Sequence, residues 1–109
     1  MHKRVVLCGA SCYDRKYYFN RDFSKLPESV QNEIHIICVL FTEDAGGIFR
    51  MEFNEEGELE LVTEAEEDDI LYDEISAGLL VRELQSRRRE LFEELTCFYR
   101  VFILGEPLL

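Results

Sequence analysis

Two thiols and a hydroxyl lie close together near the start of the chain, at Cys8, Ser11 and Cys12. Such a group could bind a small ligand or a metal ion, or supply a nucleophile with a histidine as its base. Structural zinc sites use close pairs of Cys or His, whereas Cys38 and Cys97 are isolated in apolar segments. A nucleophile here would lack an orienting motif, so we predict no catalytic residue, metal site or cofactor. The foremost prediction for this segment is a turn after a strand.

The remaining candidates for chemistry are His35 and the basic run Arg87-Arg88-Arg89. His35 lies between isoleucines, which favours a partly buried structural side chain over a catalytic one. Arg87 follows Glu83 by four residues, so the run is better explained as a self-neutralised helix surface than as a nucleic-acid contact. The acidic composition of the chain also argues against binding to nucleic acid.

Charge is strongly segregated along the sequence. Residues 43–74 contain fourteen acidic residues and one basic residue, for a formal charge of −13, while the whole chain carries −11. Residues 1–25 carry +4. Such an acidic stretch favours a basic protein partner over an anionic membrane. The predicted interaction surface consists of Glu52, Glu58, Glu60, Glu66, Glu67, Asp68 and Asp69.

The length of 109 residues suits a single domain over residues 1–109, with one hydrophobic core. No apolar run approaches the roughly 18 residues that span a bilayer, and the first eight residues are too short for a secretory signal. We therefore expect a cytoplasmic protein without a membrane partner. The four cysteines are scattered, and the fold needs no disulfide.

Hydrophobic periodicity predicts the elements that position these residues. Residues 3–8 are rich in β-branched side chains and precede Gly9, which predicts a short edge strand. Pro27 and a following apolar repeat of helical spacing predict a helix over residues 27–44, with Gly46 as its stop. Residues 34–42 are nearly all apolar, so a short helix leading into a buried strand over residues 35–42 is the alternative.

A β-hairpin is predicted over residues 47–64, because apolar and polar positions alternate on both sides of a loop in which Gly57 is expected to be left-handed. Its apolar face consists of Phe49, Met51, Phe53, Leu59 and Leu61. The same register places Glu52 directly opposite Glu60, and facing like charges are destabilising. We expect the compensating charge to come from the aromatic and basic residues 13–25 of the same chain or of a second copy, through Arg15, Lys16 and Arg21.

The carboxylates of residues 66–69 are predicted to lie at the N-terminus of a C-terminal helix, where the helix dipole stabilises them. An unbroken helix over residues 70–103 would be about 50 Å long, so we predict a bend near Gly78 or packing on a partner chain. The predicted fold class is α+β, with the hairpin extended by the N-terminal strand. The helices are expected to pack on the sheet through Ile34, Phe41, Leu84, Leu91 and Leu95.

Several runs are similar to a family of small bacterial proteins catalogued only as a domain of unknown function. They are Val6-Leu7-Cys8-Gly9-Ala10, Lys16-Tyr17-Tyr18-Phe19-Asn20, Cys38-Val39-Leu40-Phe41-Thr42-Glu43-Asp44, Gly46-Gly47-Ile48 and Arg89-Glu90-Leu91-Phe92-Glu93. The resemblance covers nearly the whole chain and implies a bacterial cytosolic setting. It assigns no activity, substrate or catalytic residue.

Segregated charge without a catalytic motif predicts a non-enzymatic interaction or regulatory protein. Its acidic surface would face a basic protein or a second copy of the chain. The alternative is a small enzyme or ligand-binding protein that uses residues 8–12 and the nearby tyrosines. Thiol reactivity discriminates between the two, because an unusually reactive Cys8 or Cys12 favours the alternative.

Overall fold

The computed structural model describes residues 3–107, which form an antiparallel sheet and three α-helices. The strands are β1 (Val5–Ser11), β2 (Lys16–Phe19), β3 (Ile48–Phe53) and β4 (Leu59–Glu64). The helices are α1 (Glu28–Ala45), α2 (Glu74–Arg87) and α3 (Arg89–Phe98). A short 3₁₀ turn precedes α1, and a π-helical turn follows α3. The predicted α+β class is confirmed.

The strand order is β2–β1–β3–β4, so β1 lies in the interior of the sheet. The prediction of an edge strand was wrong because part of the aromatic segment 13–25, which shows no clear period, forms β2 and covers that edge. A β-bulge between Val6 and Cys8 interrupts the pairing of β1 with β3. Leu7 and Cys8 are both fully buried at the bulge. The N-terminal strand therefore extends the predicted hairpin, as expected, but from the centre of a larger sheet.

The β3–β4 hairpin has the predicted register, with Phe53 opposite Leu59 and Glu52 opposite Glu60. Asn54 holds its turn, because its Oδ1 accepts hydrogen bonds from the N–H groups of Glu56 at 2.9 Å and Glu58 at 3.0 Å. The left-handed conformation predicted for the glycine of this loop is also present, with φ of 79°. The acidic hairpin is therefore a well-ordered part of the sheet.

α1 is a continuous helix through residues 35–42, so the helix prediction is confirmed and the buried-strand alternative is wrong. It ends at Gly46, whose φ is 76° and whose N–H donates to the carbonyl of Thr42 at 2.9 Å. Ile34, Cys38 and Phe41 lie buried on the face that packs on the sheet. The helix thus covers one face of β1 and β3.

The C-terminal helices begin later than predicted, since residues 66–73 form turns and α2 starts at Glu74. Asp73 is the N-cap, and its carboxylate accepts hydrogen bonds from the N–H groups of Ile75 and Ser76. A side-chain cap satisfies these donors directly, whereas Asp69 accepts only one such bond, from the N–H of Leu71 at 3.1 Å, and no helix follows it. Residues 66–69 therefore lie outside the helix.

The predicted bend near Gly78 was also wrong, because Gly78 lies within α2 and the break comes at Arg88. Arg88 has non-helical φ and ψ of −113° and 28°, and α3 begins directly after it. The change in direction lets α3 place Leu91 and Leu95 in the core, where both are buried. Packing on the sheet, and not the local flexibility of glycine, decides where the helix breaks.

The core lies between the sheet and the helices, and the predicted packing partners are all in it or against it. Phe41 stacks on Phe49 with ring centroids 4.3 Å apart, and Phe53 stacks on Tyr99 at 4.0 Å. Leu59, Leu61 and Leu84 are only partly buried. Within residues 3–107 we find no helix with the length and apolar composition needed to cross a membrane.

Gly78→Ala is expected to stabilise the protein by roughly 0.5–1 kcal/mol, since alanine is the better helix former and the added Cβ meets no atom within 4 Å. Urea unfolding followed by circular dichroism measures the change. Gly47→Ala is the contrasting variant, because its φ is +68° and the added Cβ would clash with the Glu64 carbonyl oxygen. A loss of stability in Gly78→Ala would contradict a continuous α2.

Candidate interaction surface and thiol cavity

Two arginines neutralise the acidic face of the β3–β4 hairpin. Arg4 donates hydrogen bonds to Glu60 and, at 3.0 Å, to Glu52. Arg50 donates from Nε to Glu52 at 2.6 Å and from Nη2 to Glu64 at 2.8 Å. Glu52 is thus held between two guanidinium groups and is only 8% exposed. We call these five residues the sheet ion-pair network.

Within the chain, the expectation that Arg15, Lys16 and Arg21 would compensate these glutamates was wrong. The order of the strands explains this result, because β1 and β3 lie between β2 and β4. The 13–25 segment is therefore separated from the facing Glu52 and Glu60. Arg4 directly precedes β1, which pairs with β3. Gly9 lies opposite Arg50 and leaves space for it, since a Cβ on Gly9 would be 3.0 Å from the Arg50 Cγ.

The arginines keep the network carboxylates ionised. Burial of Glu52 opposes its ionisation, but hydrogen bonds from Arg50 and Arg4 outweigh burial and lower its pKa. A hydrogen bond from Arg4 lowers the pKa of Glu60, and one from Arg50 lowers the pKa of Glu64. Of the predicted interaction surface, Glu52 is therefore unavailable to a partner and Glu60 is already paired.

Residues 66–79, which we call the acidic–aliphatic segment, combine carboxylates with exposed aliphatic side chains. This segment contains six acidic residues and no basic residue. Its large aliphatic side chains are Ile70, Leu71, Ile75 and Leu79, which are 93%, 90%, 77% and 60% exposed. Single exposed leucines are ordinary, but a cluster rimmed by polar groups is typical of an interaction site.

Tyr13 fastens the start of this segment to the turn between β1 and β2. Its hydroxyl donates to Asp69 Oδ2 at 2.6 Å and accepts from the N–H of Glu66 at 3.1 Å. The hydrogen bond to Asp69 raises the pKa of Tyr13. Asp69 therefore has a structural role. Many exposed carboxylates elsewhere form no ion pair within residues 3–107, and those in or near this segment include Glu58, Glu66, Glu67, Asp68 and Glu74.

The four cysteines are unbridged and lie in different environments. Cys8 on β1 and Cys38 on α1 are buried, with their Sγ atoms 3.6 Å apart. The contact with Cys8 and burial raise the pKa of Cys38, so its thiol stays protonated. Cys12 is half-buried, and Cys97 is exposed, although we expected it to be embedded in an apolar face. Cys8 therefore does not join Cys12 in a site.

Ser11 and Cys12 line a cavity of about 680 Å³ between α1 and the β1–β2 hairpin, which we call the hairpin cavity. Its other lining residues are Ala10, Arg15, Lys16, Tyr17, His35, Val39, Thr42 and Glu43. His35 is exposed and not partly buried, and its ring stacks on Tyr17 with centroids 4.1 Å apart. The sequence did not predict this cavity, because its lining residues come from three separate elements.

Tyr17 lies between the hairpin cavity and the buried thiols. One end of the residue lines the cavity, while its hydroxyl is buried near Cys8 and Cys38. Burial, followed by the neighbouring thiols, raises the pKa of Tyr17. The hydroxyl has no hydrogen-bond partner in the part of the chain that the structure describes. The tyrosine is therefore neutral and closes the cavity on the core side.

Two further cavities have different linings. One of about 650 Å³ lies between β4 and α3 and includes Leu59, Leu61 and Phe92. The other, of about 720 Å³, lies beside the arginine run, where Arg88 pairs with Glu33 on α1 at 2.8 Å. The predicted pair of Arg87 with Glu83 is confirmed, at 3.0 Å. Across residues 3–107, no three His, Cys, Asp or Glu side chains are placed to hold a metal ion.

Comparison with known proteins gives one match. A family model described as "Family of unknown function (DUF6145)" matches residues 4–107. No curated protein and no solved structure matches the chain. The match covers the same part of the chain as the resemblance noted in the sequence.

Arg50→Met is expected to lower the free energy of unfolding by about 1–2 kcal/mol at pH 7, because Glu52 loses a charged hydrogen bond. The folded-state pKa values of Glu52 and Glu64 lie below their unfolded values. Their contribution to the free energy of unfolding is therefore present above the unfolded pKa of about 4.3, and it is lost as the pH falls through the folded-state pKa values. The deficit of the variant should therefore shrink between pH 7 and pH 3 in urea unfolding. Arg87→Met is the control, with an expected loss of a few tenths of a kcal/mol and little pH dependence.

Native protein treated with N-ethylmaleimide is expected to be labelled at Cys12 and Cys97. Cys8 and Cys38 should react at least about a hundredfold more slowly, because the reagent reaches them only after local unfolding. Peptide mass spectrometry quantifies each site, and protein in denaturant should show four reactive thiols. Labelling of Cys8 at the rate of Cys97 in the native state would contradict the burial described above.

Proposed function

The chain belongs to the family of unknown function (DUF6145) whose model it matches, and we propose that it acts as a non-enzymatic interaction protein. In this proposal the acidic–aliphatic segment binds a basic amphipathic segment of another protein. The observation that supports it is the coincidence, in one short segment, of unpaired carboxylates with the exposed Ile70, Leu71 and Ile75. Neither feature alone would indicate a partner.

The aliphatic side chains supply the affinity in this proposal. Transferring one such side chain from water into an apolar contact is worth roughly 1.5–3 kcal/mol. Ile75 and Leu79 lie one helical turn apart on α2 and therefore present a common face. Ile70 and Leu71 precede that face in the turns before the helix. Together they can offset the entropic cost of association with a short partner segment.

The carboxylates supply the selectivity. Glu66, Glu67 and Asp68 are exposed, and no cation of the described chain pairs with them. A partner with Lys or Arg beside its apolar residues would be attracted over a distance set by the ionic strength. A symmetric contact between two copies would instead bring these like charges together, because a two-fold interface uses the same patch twice. The charge pattern therefore favours a basic partner over self-association.

The proposed setting is the cytoplasm of a bacterium. The resemblance noted in the sequence supports the bacterial part. The four unbridged cysteines fit a reducing compartment, where thiols persist without forming structural disulfides.

The proposal is tested by charge reversal with a matched control. Glu66→Lys with Glu67→Lys should abolish salt-sensitive capture of one particular partner from lysate, because the attraction becomes repulsion. Glu93→Lys with Glu94→Lys changes the net charge equally on exposed α3 positions and should leave that capture unchanged. Ile70→Ser with Leu71→Ser should also weaken it, by at least about tenfold in Kd for the purified partner.

The alternative outcomes are distinct. Equal capture by both charge-reversed variants would remove the acidic–aliphatic segment from the interaction. Concentration-dependent dimerisation in analytical ultracentrifugation, lost in the variant of Ile70 and Leu71, would show that a second copy is the occupant. In either case the proposal of a basic partner fails.

A further inference from the structure

The hairpin cavity carries an inference that does not depend on the interaction proposed above. Its volume of about 680 Å³ lies within the range of small-molecule sites. It is bounded by α1 on one side and by the ends of β1 and β2 on the other. The cavity is thus a formed feature of the fold and not a gap between loops.

The cavity is locally basic in a strongly acidic chain. Arg15, Lys16 and His35 line it, against the single carboxylate Glu43. None of these four residues forms an ion pair within residues 3–107, although carboxylates are abundant elsewhere in the protein. Arg4 and Arg50, by comparison, are each bound to at least two carboxylates. The two cations of the cavity, Arg15 and Lys16, therefore remain available to an anion from outside.

The hydroxyl groups of the cavity add to this donor character. Ser11 Oγ accepts hydrogen bonds from the N–H groups of Tyr13 at 3.2 Å and Asp14 at 3.4 Å, which leaves its own proton free to donate. The imidazole of His35 carries at least one N–H donor in either charge state. Positive charge and N–H or O–H donors in one cavity are the complement of a carboxylate or phosphate oxygen.

The backbone of the hairpin turn and the ring of His35 are held by contacts within the chain. The N–H of Cys12 donates to the carbonyl of Gly47 at 2.9 Å, which ties the turn to the start of β3. Arg15 adopts a left-handed conformation with φ of 52°, which is uncommon outside glycine. The stacking of His35 on Tyr17 fixes the imidazole on the α1 side. The backbone of the turn therefore needs no ordering when a ligand binds, and only the long side chains of Arg15 and Lys16 do.

We propose that the hairpin cavity binds a small molecule bearing an oxyanion, with Arg15, Lys16 and His35 as its ligating side chains. The oxyanion is a carboxylate or a phosphate ester. Cys12 lies in the same lining and is half-buried, so an occupant shields its thiol from solvent. This makes Cys12 a reporter for occupancy of the cavity, while the exposed Cys97 on α3 provides an internal reference.

The experiment measures Cys12 alkylation by iodoacetamide in the full chain, with citrate as the carboxylate probe and AMP as the phosphate-ester probe, at matched ionic strength. Binding of either probe should slow Cys12 alkylation about tenfold at a concentration ten times its Kd, and leave Cys97 unchanged. Isothermal titration calorimetry supplies the Kd. Comparison of citrate with AMP shows whether the cavity binds a carboxylate or a phosphate ester.

Arg15→Gln with Lys16→Gln should abolish the protection of Cys12, whereas Arg21→Gln with Lys25→Gln, which removes the same charge outside the cavity lining, should retain it. All four positions are exposed, and thermal melts confirm that both variants fold. No protection by either probe at millimolar concentration would overturn the proposal. Equal protection of Cys12 in the variant of Arg15 and Lys16 would also overturn the proposal. Calorimetric binding that leaves Cys12 unprotected would do the same, since the anion would then bind elsewhere.

Discussion

The pairing of Arg4 and Arg50 with four glutamates of the hairpin is the interaction on which the rest of the structure depends. Without it, the hairpin would place Glu52 opposite Glu60 with no compensating charge, which would destabilise the pairing of β3 with β4. Gly9 contributes by leaving room for Arg50 above β1. Two cations therefore stabilise the sheet at the place where strand pairing concentrates negative charge.

The ion pairs of the hairpin and the order of the strands determine where unpaired charge remains. The hairpin uses Glu52, Glu55, Glu60 and Glu64 internally, while the carboxylates in the turns before α2 remain without an ion pair in the described chain. The cations of the β1–β2 turn, which strand order keeps away from the hairpin, stay unpaired beside α1. One structural fact, the order of the strands, thus produces an acidic surface and a basic cavity in the same small protein.

Tyr13 connects these two regions physically. Its N–H donates to Ser11 at the hairpin cavity, and its hydroxyl donates to Asp69 at the start of the acidic–aliphatic segment. The same residue also accepts from the backbone of Glu66. The turn between β1 and β2 is therefore a common support for both candidate sites, while the conformation of the segment beyond Leu71 depends on the cap of α2 at Asp73.

The sequence alone determined those features that depend on neighbours along the chain. α1, the β3–β4 register and the left-handed Gly57 follow from periods of 3.6 and two residues and from turn chemistry, all of which act within a few positions. Only the tertiary structure decided the rest. The pair of Arg4 and Glu52 joins residues 48 positions apart, and the cavity joins His35 to Lys16 across a helix and a strand. These contacts depend on strand order and on where α1 packs, which local periodicity does not encode. The break at Arg88 has the same origin, because burial of Leu91 and Leu95 against the sheet outweighs the intrinsic helix-breaking tendency of Gly78.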